Sequence, residues 1–184
     1  TPLVKFSERM IKDKPSLEET LTLKYVDDRL ITTPPVALMQ VKKEMNYMLS
    51  LVEHNIHLSL RTLETRSSED GETIRKNEEI IDFTNGALTR FLIKLSSTVE
   101  QSDEQVIGSY FHVLNDLERI GDHAENFYAI GIQMQERQLT FSDNAIAEIA
   151  EMQKRTLRMF EISEEAFDNV DSIHLDELTM LENE

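Results

Sequence analysis

The sequence predicts an all-α fold: an antiparallel bundle of long helices built on a three-helix repeat whose second copy is truncated. Three observations predict it. Glycine and proline are scarce, five and four in 184 residues, and the regular segments between breaks are long. Apolar residues recur three and four apart within those segments, the spacing of one helix face. A short motif near the start of the second long segment returns at the end of the chain.

Residues 1–33 read as a connecting segment of juxtamembrane type, with at most a short helix around LTLKYVDDRL. TTPP then marks a helix start. Thr33 suits an N-cap, and Pro34 at the first helical position gives up no needed hydrogen bond. Leu38, Val41, Met45, Met48 and Val52 carry the apolar face of a first helix over 34–63. After the break TRSSEDGE, Ile81, Leu88, Leu92 and Leu95 mark a second helix over 72–96. Ser102 and Gln105 have the form of a capping box, which predicts a third helix over 103–135. Ser142 caps a fourth over 143–169, with Ile146, Ile149, Met152, Leu157, Phe160 and Phe167 on its apolar face. HLDELTMLENE begins a fifth. Leu38, Val41, Met48, Leu88, Leu92, Leu117 and Phe160 are expected in the core, and Met45 and Met152 are most simply core as well.

RKNEEIID at 75–82 and MLENE at 180–184 each follow a long helix and a short acidic break. Aligning Asn77 with Asn183 gives a repeat of roughly a hundred residues. The first three-helix repeat then spans 34–136, and 137–184 begins a second. Helix four should expose apolar surface unless a second molecule covers it, which allows a homodimer.

The formal charge of −16 argues against nucleic acid, whose affinity comes mostly from Lys and Arg neutralising phosphates. Cations are the natural partners of such a surface. Residues 1–14 run the other way, with Lys5, Arg9, Lys12 and Lys14 against Glu8 and Asp13. That is how a chain looks just after it leaves a membrane on the cytoplasmic side, and also how a solvated tail looks. There is no cysteine, so disulfides and thiolate metal sites are excluded. No run of about 18 apolar residues occurs, and no cleavable leader is expected.

The chemistry concentrates in NDLERIGDHAEN, residues 115–126. Residues four apart on a helix lie one above the other, so Glu118 and Asp122 form a stripe that Glu125 continues. Glu78 and Asp82, followed by Asn85, repeat it on helix two. Both stripes border the apolar face, so packing the two helices would bring the carboxylates together at the seam. Like charges at this spacing destabilise a helix by a few tenths of a kcal/mol, and Gly121 costs about 1 kcal/mol more relative to alanine. One E-x-x-x-D is ordinary helix surface, and Arg119, Arg75 and Lys76 could compensate its charge; two copies on neighbouring helices beside the core are harder to dismiss. Oxygen donors suit Mg²⁺, Ca²⁺, Mn²⁺ or oxo-bridged iron and zinc. Ferritin-like oxidases need Glu-x-x-His, which is absent. His123 points away from the stripe, and His54 and His57 sit on a wet face beside Glu53.

DLERIGDHAEN at 116–126 closely resembles the signature of PhoU proteins, bacterial regulators of phosphate uptake and signalling. NEEIID at 77–82 is similar to that family's companion motif. The resemblance implies a repeated three-helix bundle whose carboxylates bind metal clusters, with iron or zinc as the metal. It assigns Glu78, Asp82, Glu118 and Asp122 as metal ligands, with Asp116 and Glu125 as additions. Glu184 matches the first position of the second repeat's motif. TPLVKFSERMI and YVDDRLITTPPVALMQVKKEM resemble the stretch that joins the last membrane helix of sodium/phosphate cotransporter family proteins to their cytoplasmic PhoU-like domain. This implies a non-catalytic regulatory domain on the cytoplasmic side of a membrane, partnered by a transporter domain of the same polypeptide and reaching phosphate through metal. The rival readings are a metal-free interaction module and a di-metal carboxylate enzyme.

Overall fold

The computed structural model describes residues 21–169 and 174–183. Among them are helices α1 (Pro34–Thr65), α2 (Gly71–Ser96), α3 (Gln101–Glu136), α4 (Asp143–Asp168) and α5 (Leu175–Asn183), after a 3-10 turn at Asp28–Thr32. The described residues contain no strand, so the all-α class holds and every expected helix is present. Expectations for residues 1–20 and for Glu184 lie outside the described residues.

The helix starts follow local chemistry. Thr33 sits at the N-cap of α1 with Pro34 behind it, although its side chain makes no capping bond. Ser142 caps α4, its Oγ accepting from the Ala145 amide at 3.3 Å. The start of α3 differs from expectation. It begins at Gln101 with Glu100 as N-cap, so the Ser102–Gln105 pair does not set it; the side chain of Ser102 lies outside the described residues. Asp103 and Glu104 in the first turn suit the positive end of the helix dipole there.

α1, α2 and α3 each pack on the other two. Their directions follow from who meets whom. Arg61 of α1 bonds Asp70 just before α2, while Asn55, earlier in α1, reaches the Ile74 carbonyl at 3.1 Å. α1 and α2 are therefore antiparallel. Gly71 at the start of α2 lies against Tyr128 of α3, and Glu78 lies against Gly121, so α2 and α3 are antiparallel too. α1 and α3 run the same way.

The core lies on the predicted faces. Leu38, Val41, Met45, Met48, Val52, Ile81, Leu88, Leu92, Leu95, Leu114 and Leu117 are buried. Two expectations need correction. Phe160 is only half-buried, packed at the edge of the core. Met152 is 68% exposed, and Ile146 is 51% exposed. Spacing placed Met152 on the apolar face of α4, but only the later part of that face (Leu157, Phe160, Phe167) packs on the core. The earlier part opens onto a groove of about 430 Å³ with Phe127, Ile130 and Phe141, the apolar exposure expected of helix four.

The end of the connecting segment is tied to the bundle. The Tyr25 amide donates to buried Glu44 Oε2 at 2.7 Å, Lys24 lies over the Tyr47 ring, and Lys94 pairs with Asp28 at 2.7 Å. A charged residue on the core side of α1 is thus satisfied by backbone from residues 21–27.

Gly131 sets how closely α3 approaches α1. A Cβ there would sit 2.9 Å from the Thr62 carbonyl oxygen and 3.0 Å from its carbon, and backbone cannot turn aside as a side chain can. Alanine normally gains about 1 kcal/mol over glycine inside a helix. Gly131→Ala should nevertheless lower the melting temperature, because α3 must move off α1. An unchanged or raised melting temperature by circular dichroism would show that the two helices are not in this register.

Candidate metal centre

Antiparallel packing of α2 on α3 brings the two acidic stripes to one seam. Glu78 is buried, 7% exposed; Glu118 is half-buried; Asp82, Asp122 and Glu125 are exposed at the mouth. They share one electrostatic neighbourhood. Burial first, then the charges of Asp82, Asp122 and Glu125, push Glu78 up to about 7, against a weaker lowering by Asn55. Glu118 is also raised, by burial, then by Asp122 and Asp82, with Arg119 acting against them. Desolvation and like charge both disfavour the ionised carboxylate, and here they act together.

The buried end is specific. Glu78 Oε2 accepts from Asn55 Nδ2 at 3.4 Å, whereas Oε1 is shielded from solvent with no hydrogen-bond partner among the described residues. Such a group is costly unless something else satisfies it. Opposite lies Gly121. A Cβ on that residue would stand 3.1 Å from both carboxylate oxygens of Glu78, so any side chain would press on the carboxylate. This gives Gly121 its structural role: α3 comes close because nothing projects from it at that point.

The expected ligands are not all equivalent. Glu78, Asp82, Glu118, Asp122 and Glu125 gather at the seam, but Asp116 does not. It lines a separate cavity of about 450 Å³ between α1, α3 and α4, with Arg119, His123 and Glu164. Asp116 and Glu118 are neighbours in sequence but about 200° apart around a helix. His54, His57 and His123 are exposed. Among the described residues no group of three His, Asp or Glu side chains is placed to hold a metal ion as it stands.

The chemistry of the site nevertheless fits a cation: a buried carboxylate oxygen without a partner, a glycine where a Cβ would fill the approach, and donors that are all oxygen. Glu78 and Asp82 from α2 with Glu118 and Asp122 from α3 are the residues that would hold it, with Glu125 at the rim. A bound hard cation would neutralise the seam and present any remaining coordination positions to an anion.

Sequence reasoning missed the neutral residues around this carboxylate. Asn55 and Asn77 are both buried and hydrogen-bonded to each other at 2.8 Å. The signal was present in the chain. Asn55, Ser59 and Thr62 continue the stripe of Val41, Met45, Met48 and Val52, and a polar residue on a buried stripe needs a partner.

No described helix is long and apolar enough to cross a membrane. Residues 45–130 match the PhoU domain model. The chain is similar to the phosphate-specific transport system accessory protein PhoU homolog of Aquifex aeolicus (strain VF5), with 29% identity over 91 residues. That alignment takes in 48% of this chain and 41% of the relative, so the chain spans about two-fifths of that protein's length. No solved structure matches. The matched residues contain most of α1, all of α2 and most of α3 with the whole carboxylate seam.

Proposed function

We propose that this chain is a regulatory domain of a phosphate-transport system and that it binds a metal ion at the α2–α3 seam. The observation that carries the metal is Glu78, a buried carboxylate with one oxygen unpartnered among the described residues, set against a glycine and beside the carboxylates of Asp82, Asp122 and Glu125. The phosphate context is supported by the PhoU domain match and by the name of the relative. A chain of charge −16 repels phosphate unless a cation bridges the two. The role is regulatory and not catalytic, on the cytoplasmic side of a membrane, coupled to a sodium-dependent phosphate transporter. Leader residues of the kind seen in TPLVKFSERMI support that placement. It predicts membrane-spanning segments encoded ahead of Thr1; a reading frame without them would remove the transporter context and leave the domain.

The lack of a preformed cage among the described residues favours a second reading, an interaction module whose carboxylates contact a partner directly. Metal titration separates the two. On chelator-treated full chain, Zn²⁺, Mn²⁺ or ferric iron should raise the melting temperature of the wild type. Ligand linkage sets the scale at about 2.7 kcal/mol for a hundredfold excess over the dissociation constant. Asp122→Asn and Glu78→Gln should lose most of that gain with helix content unchanged. Coincident titration curves for wild type and both variants would remove the metal and leave the interaction module.

The metal-free protein should also report Glu78 through pH. A carboxylate whose pKa rises on folding stabilises the fold fully below its ordinary value, and that contribution disappears as pH climbs through the folded value. Metal-free wild type should therefore lose stability as pH rises from 4.5 to about 7. Glu78→Gln should flatten that fall and be the more stable protein above it. Parallel melting curves across this window would mean that Glu78 is not buried as described.

A further inference from the structure

Asn55 lies on the buried face of α1, fully shielded from solvent, beside the turn of α2 that holds Glu78. Its amide nitrogen donates to the Ile74 carbonyl at 3.1 Å and to Glu78 Oε2 at 3.4 Å. Its oxygen accepts from Asn77 Nδ2 at 2.8 Å. The Asn77 nitrogen also lies 3.4 Å from His54 Nδ1. These contacts fix which end of the Asn55 amide is nitrogen. Turned over, its oxygen would face a carbonyl and a carboxylate, and its nitrogen would face the nitrogen of Asn77.

The other fully buried polar residues on this face behave differently. Ser59 Oγ donates to the Ile56 carbonyl at 2.9 Å, and Thr62 Oγ1 to the Leu58 carbonyl at 3.0 Å. Each is satisfied within its own helix. Asn55 spends its whole amide on α2, and one of its two donated bonds goes to the carboxylate. The result is asymmetric: Oε2 of Glu78 is held, and Oε1 has no partner among the described residues.

We propose that Asn55 is the positioning residue of the metal centre, holding Glu78 by Oε2 so that Oε1 stays available as the buried donor to a cation. The inference rests on the metal-binding reading above. A glutamate has several rotatable bonds, and fixing them before the ion arrives lowers the ordering cost of binding. Partners that orient a metal ligand typically change affinity by about 10- to 100-fold when removed. Asn77 acts one step further out, as the donor that keeps the Asn55 amide in its orientation.

The test is Zn²⁺ affinity, measured by calorimetry on chelator-treated full chain, with helix content and melting temperature recorded for every variant. Asn55→Leu keeps the volume and removes the donor, and should weaken Zn²⁺ by about 10- to 100-fold. Thr62→Val, equally buried but remote from Glu78 in its bonding, should bind as wild type whatever it does to melting. Asn77→Ala should shift affinity in the same direction by less, and it serves where Asn55→Leu does not fold. If Asn55→Leu and Asn77→Ala both bind as wild type while Glu78→Gln does not, the inference falls and the metal site stands. If Thr62→Val loses as much as Asn55→Leu, the effect is general loosening and the inference falls. If Glu78→Gln itself binds Zn²⁺ as wild type, the metal reading falls, and this inference with it.

Discussion

A carboxylate buried at a helix seam, with more carboxylates at its mouth, is the constraint around which this domain is arranged. Burial alone disfavours the charge on Glu78, and Asp82, Asp122 and Glu125 add to it. A folded chain can answer in three ways: protonate the group, pair it with a cationic side chain, or bind a cation from solution. The first answer is built into the raised pKa. For the second, the one favourable group acting on Glu78 is the amide of Asn55, which carries no charge. The third is the reading proposed above, and the Glu78 oxygen beside Gly121, without a partner among the described residues, is where it would act.

The bundle serves this arrangement through its register. Gly71 under Tyr128 and Gly121 beside Glu78 set α2 against α3 at two levels, and Gly131 against Thr62 sets α3 against α1. Slide α3 by one turn and Glu78 would meet a side chain where it now meets none. α1 supplies the polar support from behind. The three helices therefore contribute differently. α2 carries Glu78 and Asp82, α3 carries Glu118, Asp122 and Glu125, and α1 carries the amide that donates to Glu78.

Helix positions were readable because period 3.6 is a local property of the chain, and Leu38 through Val52 display it without interruption. The pairs Glu78–Asp82 and Glu118–Asp122 were readable for the same reason, since an i, i+4 stripe needs no knowledge of the fold. Asp116 was misleading because neighbours in sequence point to different sides of a helix. Met152 shows a second limit: spacing identifies an apolar face but not whether anything covers it. Asn55 and Asn77 required the tertiary pairing of α1 with α2. An uncharged amide on an apolar stripe announces a partner without naming it. The start of α3 escaped because an acidic first turn competes with a capping box, and the two signals lie within a few residues.

Crystallography tests most plainly whether Glu78 Oε1, which has no partner among the described residues, is a cation donor. Anomalous difference density from crystals of the Zn²⁺-loaded chain should show a peak between α2 and α3, bonded to Glu78 Oε1 and to Asp122, with Oε2 still bonded to Asn55. A peak coordinated instead by His54, His57 or His123, or no peak at the seam with Zn²⁺ in excess, would contradict the account.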